Sequence, residues 1–244
     1  MRRLAPLLLV LAACADDPPV AGPPSDPEAA RLLEAVVPDM DASAFQDLAR
    51  RPYTASVRVE VFDGAGEVVG TETATVEHTD GGTVARDRAV TGDLELREGP
   101  LVLRDPLPAT VPEDPSYLDP AAREAYRFMA RGDTTISGRR LRLAEAVLTD
   151  TDRTHAVQRV RAAVDPASGT AATVEITRAA DAIVYDEDSR VRVDLWPTAD
   201  GWLPRRVVTD TQTAVPFSEP RRVRTTWTVT HVDGRPFAPD TTGA

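Results

Sequence analysis

The sequence predicts a mainly β, α+β fold: a curved antiparallel sheet forming an unclosed half-barrel, with its concave face covered by an N-terminal and a central helix. Apolar and polar side chains alternate over most of the chain, and short turn sequences separate the alternating segments. Only three segments have helical spacing. A large twisted antiparallel sheet tends to curl, and its apolar concave face must be covered from water. The predicted helices would supply this cover.

The chain begins with a secretory signal. Arg2 and Arg3 precede an apolar stretch that is too short to span a bilayer and ends in Leu-Ala-Ala-Cys at 11–14. This run resembles the bacterial lipoprotein box, which implies that the thiol of Cys14 receives a diacylglyceryl group, that residues 1–13 are removed, and that the new amino terminus is acylated. The alternative is an ordinary secretory signal that contains a cysteine.

The lipoprotein box implies a lipid-anchored protein of the cell envelope. Ala15, directly after the lipidated cysteine, favours the outer membrane, facing the periplasm. Residues 14–25 are rich in proline and predict an extended tether that reaches up to about 35 Å. Cys14 is the only cysteine, so none remains for a disulfide or a thiolate metal site.

A single domain is predicted over residues 26–238, followed by a disordered tail over 239–244. The net charge is −11, and loss of Arg2 and Arg3 makes it −13, which disfavours nucleic acid as a partner. All 28 basic residues are arginine. The chain therefore has no lysine for a Schiff base, for a phosphate-binding loop or for proton abstraction.

Two helices and five strands are predicted in the first half. Asp26 can cap a helix that starts at Pro27 and is interrupted at Pro38, and a second short helix is predicted over 42–51. Strands are predicted over 54–62, 67–78, 83–90, 94–97 and 101–104. The proline-rich stretch at 105–115 cannot pair in a sheet and is predicted to be a surface excursion.

The central helix is predicted after this excursion. Asp119 would cap it, Pro120 would begin it, and Gly132 would end it. Tyr126, Phe128 and neighbouring apolar residues would form its buried stripe.

The remaining sequence predicts a meander of strands with tight turns. The predicted strands are 134–148 with a break near Gly138, 154–164, 170–178, 183–195, 202–215 and 220–232. In the later strands valines are predicted to face inward, while four arginines are predicted to face outward: Arg190, Arg192, Arg222 and Arg224.

This order of elements resembles the LolA/LolB-like superfamily of outer-membrane lipoproteins. The likeness rests on the turn Asp-Pro-Ala-Ser-Gly at 165–169 with the strand after it, and on Asp-Gly-Trp-Leu-Pro-Arg at 200–205. Related folds occur in lipid-binding mycobacterial lipoproteins (LppX/LprG) and in the N-terminal domain of MucB. The resemblance implies a half-barrel plugged by helices, with a gap that can accept acyl chains.

A lipid or other apolar ligand is therefore expected in the concavity. Its candidate contacts are Val57, Val59, Tyr126, Phe128, Trp196, Trp202 and Trp227. The alternative for the aromatic residues is that they close the edge of the core. The alternative function is a filled core whose sheet surface docks another envelope protein.

No sequence motif identifies an enzyme, a metal site or a cofactor. The histidines, His78, His155 and His231, lie on separate predicted strands without the spacing of a zinc site. The acidic run at 186–188 lacks the alternating oxygen ligands and glycine of a calcium loop. Because nucleophile and nucleotide motifs are also lacking, an anchored hydrolase is the least favoured function.

Overall fold

Eleven antiparallel strands form one sheet in the computed structural model, which describes residues 25–39, 44–92, 94, 122–136, 138–149, 157–182, 185–198 and 201–237. The helices are α1 (Pro27–Asp39) and α2 (Gln46–Ala49). The strands are β1 (Tyr53–Phe62), β2 (Val68–Thr79), β3 (Gly82–Gly92), β4 (Tyr126–Ile136), β5 (Arg139–Leu148), β6 (Val157–Val164), β7 (Ala171–Ala182), β8 (Tyr185–Thr198), β9 (Gly201–Ala214), β10 (Arg221–Val232) and β11 (Arg235–Pro236).

The sheet is curled but not closed. Its strand order is β3-β2-β1-β10-β9-β8-β7-β6-β5-β4, with β11 paired to β10, so β3 and β4 are its two edges. Register shifts interrupt several ladders, as between Thr54 and Ala55 and between Asp194 and Leu195. Such bulges increase local twist and bend a strand, which helps a sheet of this width to curl. The predicted half-barrel is confirmed.

The sheet has two chemically distinct faces. We call the face covered by α1 and α2 the inner face and the opposite one the outer face. Alternation along β1 places Val57 and Val59 on the inner face and Arg58 and Glu60 on the outer face. One cluster of buried apolar side chains extends along the inner face from β2 to β4 and includes the apolar side of both helices.

Helix α1 begins where its capping residue predicts. The Oδ1 atom of Asp26 accepts hydrogen bonds from the backbone N–H groups of Glu28 at 2.8 Å and Ala29 at 3.3 Å. The helix packs against β4, β5 and β6 and buries Leu33 completely. Arg142 of β5 adds an ion pair to Glu28 at 3.1 Å, so α1 is fixed to one side of the inner face.

The predicted central helix is wrong. Residues Arg123–Ala125 form one 3-10 turn, and β4 follows at once. The alternate residues Tyr126 and Phe128 are buried, and the ladder to β5 pairs Tyr126 with Leu148. The apolar residues fit a period of two as well as a helical period, and pairing with β5 decided between them.

The other predicted elements differ from the structure mainly at their ends. Helix α2 is shorter than predicted. Of the four apolar residues at helical spacing, Ala44, Phe45 and Leu48 are buried, whereas Ala49 is exposed. The turn at 165–169 forms as predicted, with Gly169 at a φ of 75°. The predicted excursion at 105–115 and strand at 101–104 lie outside the described residues, as does the strand at 94–97 except for Leu94.

Candidate functional site

Five of the seven predicted ligand contacts lie together on the inner face. Val57, Val59, Tyr126, Phe128 and Trp227 are each at most 4 % exposed and belong to the same apolar cluster. Strands β1, β4 and β10 carry them, so residues distant in sequence share one surface. This surface is the candidate site for an apolar ligand.

Aromatic and polar contacts order this surface at both sides. The hydroxyl of Tyr126 donates to the carbonyl oxygen of Val157 at 2.5 Å, which satisfies its polar atom inside the core. The Trp227 ring meets Tyr53 edge to face at 5.7 Å, and Tyr53 stacks on His78 at 4.8 Å between centroids. The ring nitrogens of His78 contact Thr83 Oγ1 and the carbonyl oxygen of Ala49, each at 2.9 Å, which ties α2 to β2 and β3.

The other two predicted contacts lie elsewhere. Trp196 follows the outward-facing residues of β8 and lines a depression of the outer face, where the Arg205 guanidinium lies 4.9 Å from its ring centroid. Trp202 is half-buried and packs against both the main inner cluster and a smaller cluster around Leu141. The structure therefore does not bring all seven residues to one surface.

A charged pair on the inner face was missed by the sequence analysis. Glu72 is fully buried, opposite Val59 in the ladder, and its carboxylate accepts a hydrogen bond from Arg88 at 2.5 Å. Thr209 and Thr225 lie in the same cross-strand row. The sequence did contain a signal for this buried acid. Glu72 lies on the same side of β2 as Ala74 and Val76, so an acidic residue at that position is expected to be buried with them.

The outer face is rich in arginine, as predicted for β8 and β10. Asp210 accepts hydrogen bonds from Arg222 Nε at 2.6 Å and from Arg224 Nη2 at 2.7 Å. The hydrogen bond from Arg222 is the main cause that holds the pKa of Asp210 below its usual range. Guanidinium groups favour the charged carboxylate and so keep it ionised.

A second carboxylate on this face is almost completely buried. Glu145 of β5 accepts from Arg131 at 2.5 Å and from Arg161 at 3.0 Å, and Arg159 lies 3.4 Å away. Burial raises the pKa of Glu145, but the hydrogen bonds from Arg131 and Arg161 outweigh it, so the pKa lies below the usual range. The buried carboxylates of Glu72 and Glu145 are thus each bound by arginine from a neighbouring strand.

Glu145 is expected to contribute to stability in a pH-dependent way. A carboxyl group with a lowered folded-state pKa stabilises the protein fully above its unfolded pKa of about 4.3. This contribution is lost as the pH falls through the folded-state value. At neutral pH Glu145→Gln should lower the free energy of unfolding by about 1–3 kcal/mol, because the arginines lose the negative charge and one of the two acceptor oxygens.

Urea unfolding of both proteins at pH 7 and pH 3 measures this effect. The difference in stability between the natural protein and Glu145→Gln should shrink at the lower pH. The exposed Glu124 provides the control, as Glu124→Gln should change little at either pH. An equal deficit for Glu145→Gln at pH 7 and pH 3 would contradict the assigned role.

Several exposed apolar side chains gather at one end of the sheet. Phe217, fully exposed with a φ of 67°, lies in the β9–β10 turn beside the exposed Val215. The β1–β2 turn, flanked by the exposed Val68 and Val69, is its neighbour because β1 pairs with β10. A depression of about 490 Å³ between the two turns includes Phe62 and Ser218 in its lining. We call this the apolar end.

Other chemistry is sparse in the described part of the chain. No three His, Cys, Asp or Glu side chains there come close enough together to hold a metal ion. His231 contacts Thr230, and His155 lies outside the described residues. Among the described helices, none has the length and apolar composition needed to cross a bilayer.

Comparisons with known proteins show likeness at the level of the fold. No protein-family model matches the sequence, and no curated protein matches it. A DUF1329 family protein from Desulfovibrio piger is 13 % identical, with a TM-score of 0.33, over 88 % of this chain and 95 % of that one. A LolA superfamily protein from Nitrosomonas europaea is 9 % identical, with a TM-score of 0.29, over 82 % and 92 %. A chain of the Pseudomonas aeruginosa MucA/MucB complex is 11 % identical, with a TM-score of 0.26, over 83 % of this chain and 94 % of that one. These likenesses concern the fold alone.

Proposed function

We propose that this protein is a non-enzymatic, lipid-anchored protein of the bacterial cell envelope that binds or passes a lipid or other apolar ligand on its inner face. In this proposal residues 1–13 are a signal peptide, Cys14 carries the acyl chains, and residues 14–25 are the tether. Residues 26–238 form the ligand-binding domain and 239–244 a tail. The protein is held at the outer membrane and faces the periplasm.

The extent of the apolar inner face carries this proposal. The main contacts of α1 are with β4, β5 and β6, and those of α2 are with β9. Buried apolar side chains continue beyond that region onto β1, β8 and β10, where they include Val59, Val193 and Trp227. An acyl chain between this part of the sheet and its cover would contact mainly apolar atoms, the exceptions being Glu72, Thr209 and Thr225 in the row of Val59. Apolar burial of this kind gains about 25 cal/mol per Å².

Native mass spectrometry with organic extraction tests the proposal. The chain starting at Ala15, exported to the periplasm and purified without detergent, is expected to carry a reproducible extra mass that extraction identifies as an amphiphile. Omitting Cys14 removes the covalent lipid from the spectrum. A clean protein mass that stays unchanged when lipids are added would overturn the proposal.

Two matched substitutions locate the bound molecule. Val59→Phe adds bulk to the inner face, where Val59 is fully buried, and should lower the bound fraction severalfold at a cost of about 1–3 kcal/mol in stability. Val147→Phe makes the same change on the outer face, two residues from Glu145 on β5, and should leave the bound fraction unaltered. The opposite pattern would place the lipid on the outer face and refute the inner site.

A second candidate function is docking of an envelope protein, and the apolar end favours it. An exposed phenylalanine next to exposed valines is the type of surface that a partner covers. A photo-crosslinking amino acid at position 217 should then join the protein to one discrete partner in living cells, while the same group at the exposed position 124 should not. Equal products from both positions would argue against docking at this end.

A further inference from the structure

Two depressions on the outer face merge into one trough. One has a volume of about 560 Å³ and the other of about 550 Å³. They share Arg192, Asp194, Arg206 and Thr226, so Arg206 lies where they meet. We call the combined depression the arginine trough. Each half is within the usual size of a site for a small molecule.

The first half is lined by five arginines from four strands, and Val208 and Thr226 also contribute to its lining. These arginines are Arg58, Arg190, Arg192, Arg206 and Arg224. Four carboxylates line the same half, and arginines hold each of them: Glu60–Arg58 at 2.9 Å, Glu175–Arg190 at 2.6 Å, Asp194–Arg192 at 2.9 Å, and Asp210 with Arg222 and Arg224. Each of these four carboxylates is therefore already paired with at least one arginine.

Arg206 differs from the other four arginines of the first half, each of which is paired with a carboxylate. It is exposed, and within the described part of the chain no hydrogen bond or ion pair engages its guanidinium. In the ladders its neighbours are Asp194, already bound to Arg192, and Thr228. Asp210 is likewise paired with two arginines. Five arginines and four carboxylates line this half, so it carries a positive charge although the net charge of the chain is −11.

The second half is more apolar. Ile136, Ala172, Leu195 and Trp196 contribute to its lining, and Arg205 lies 4.9 Å from the centroid of the Trp196 ring. The trough thus joins a positively charged half to an aromatic and aliphatic half, with Arg206 between them. A matching ligand has an anionic group and an apolar part.

We propose that the arginine trough binds an organic phosphate, with the phosphate group at Arg206 and Arg192 and the apolar part along Trp196 and Ile136. The planar guanidinium group presents paired N–H donors that match phosphate oxygens. The trough lies on the opposite side of the sheet from the inner face. The assignment therefore does not depend on the proposed function.

Isothermal titration calorimetry on the purified full chain in a neutral detergent and low-salt buffer tests this site. The probes are hexyl phosphate, inorganic phosphate and hexanol. Hexyl phosphate should bind, and binding should weaken as salt is added. Arg206→Gln should weaken it about tenfold or more, the loss expected for a charged hydrogen-bonded contact. Arg235→Gln, the same charge change at an exposed position of β11, should have no effect.

The relative binding of the three probes distinguishes an organic-phosphate site from a free-phosphate site and from the absence of a site. Binding of hexyl phosphate that exceeds that of inorganic phosphate and depends on Arg206 supports an organic phosphate. Equal binding of both phosphates, again dependent on Arg206, would overturn the role of the apolar half and leave a free phosphate site. Equal binding of hexanol, no heat with any probe, or equal losses in both arginine variants would refute the site. Because Arg206 is exposed, Arg206→Gln should keep the natural unfolding temperature, which circular dichroism checks.

Discussion

Replacing Cys14 with alanine is expected to abolish lipid modification completely. The chain has a single thiol, so no other side chain can carry a thioether-linked diacylglyceryl group. Two or more acyl chains hold a protein stably at a membrane, because each buried methylene contributes about 0.8 kcal/mol, whereas one chain holds only marginally. The effect should therefore be all or none.

Metabolic labelling with palmitate measures this effect. The natural protein should incorporate label and show the mass of a chain beginning at Cys14. Cys14→Ala should remain unlabelled and retain residues 1–13. Ala15→Ser, which leaves the thiol in place, should be labelled normally. Persistent labelling of Cys14→Ala would show that the sequence before residue 15 is not a lipoprotein box.

Replacing Trp227 with alanine is expected to give the largest loss of stability, about 3–5 kcal/mol. Trp227 is 3 % exposed, lies between Val57 and Val207 in its cross-strand row, and contacts Tyr53 edge to face. Removing the indole leaves a cavity in the middle of the inner face, where both neighbouring strands are held in place by their ladders.

Chemical denaturation of Trp227→Ala and Trp196→Ala separates the two faces. Trp196 is half-buried on the outer face with Arg205 beside it, so its removal should lower the free energy of unfolding by only about 1 kcal/mol. A small loss for Trp227→Ala, similar to that for Trp196→Ala, would mean that the inner face is not packed around Trp227.

Local sequence patterns predicted an element correctly where its apolar residues fit either the alternation of a strand or the spacing of a helix, but not both. In β1 the alternation of valine with polar residues fits a strand but not a helix, and the strand forms within one residue of its predicted start. Asp26 and Pro27 mark the start of α1 because one accepts the free N–H groups of the first turn and the other lacks an N–H. These preferences act between near neighbours in the chain.

The segment at 122–131 shows where such reasoning fails. Its apolar residues satisfy both periods, and its alanines favour a helix. The 11-residue strand β4 forms there because its backbone pairs with β5 and its Tyr126 hydroxyl reaches Val157, 31 positions away. Contacts of this kind cannot be identified from the spacing of residues within one segment.

For the candidate sites too, one part could be predicted from local sequence and another part depended on how the strands pair. Alternation within β8 and β10 was enough to predict that Arg190, Arg192, Arg222 and Arg224 face away from the core, since side chains of a strand point to opposite faces in turn. Pairing of β8, β9 and β10 was needed to bring Arg190, Arg192 and Arg224 into one trough with Arg206. Curling of the sheet was needed to collect Val57, Tyr126 and Trp227 on one inner face. Each strand's own residues determine which side of the sheet a side chain faces. Which other side chains it meets on that side depends on strand order and register, and these arise from hydrogen bonds between segments far apart in the chain.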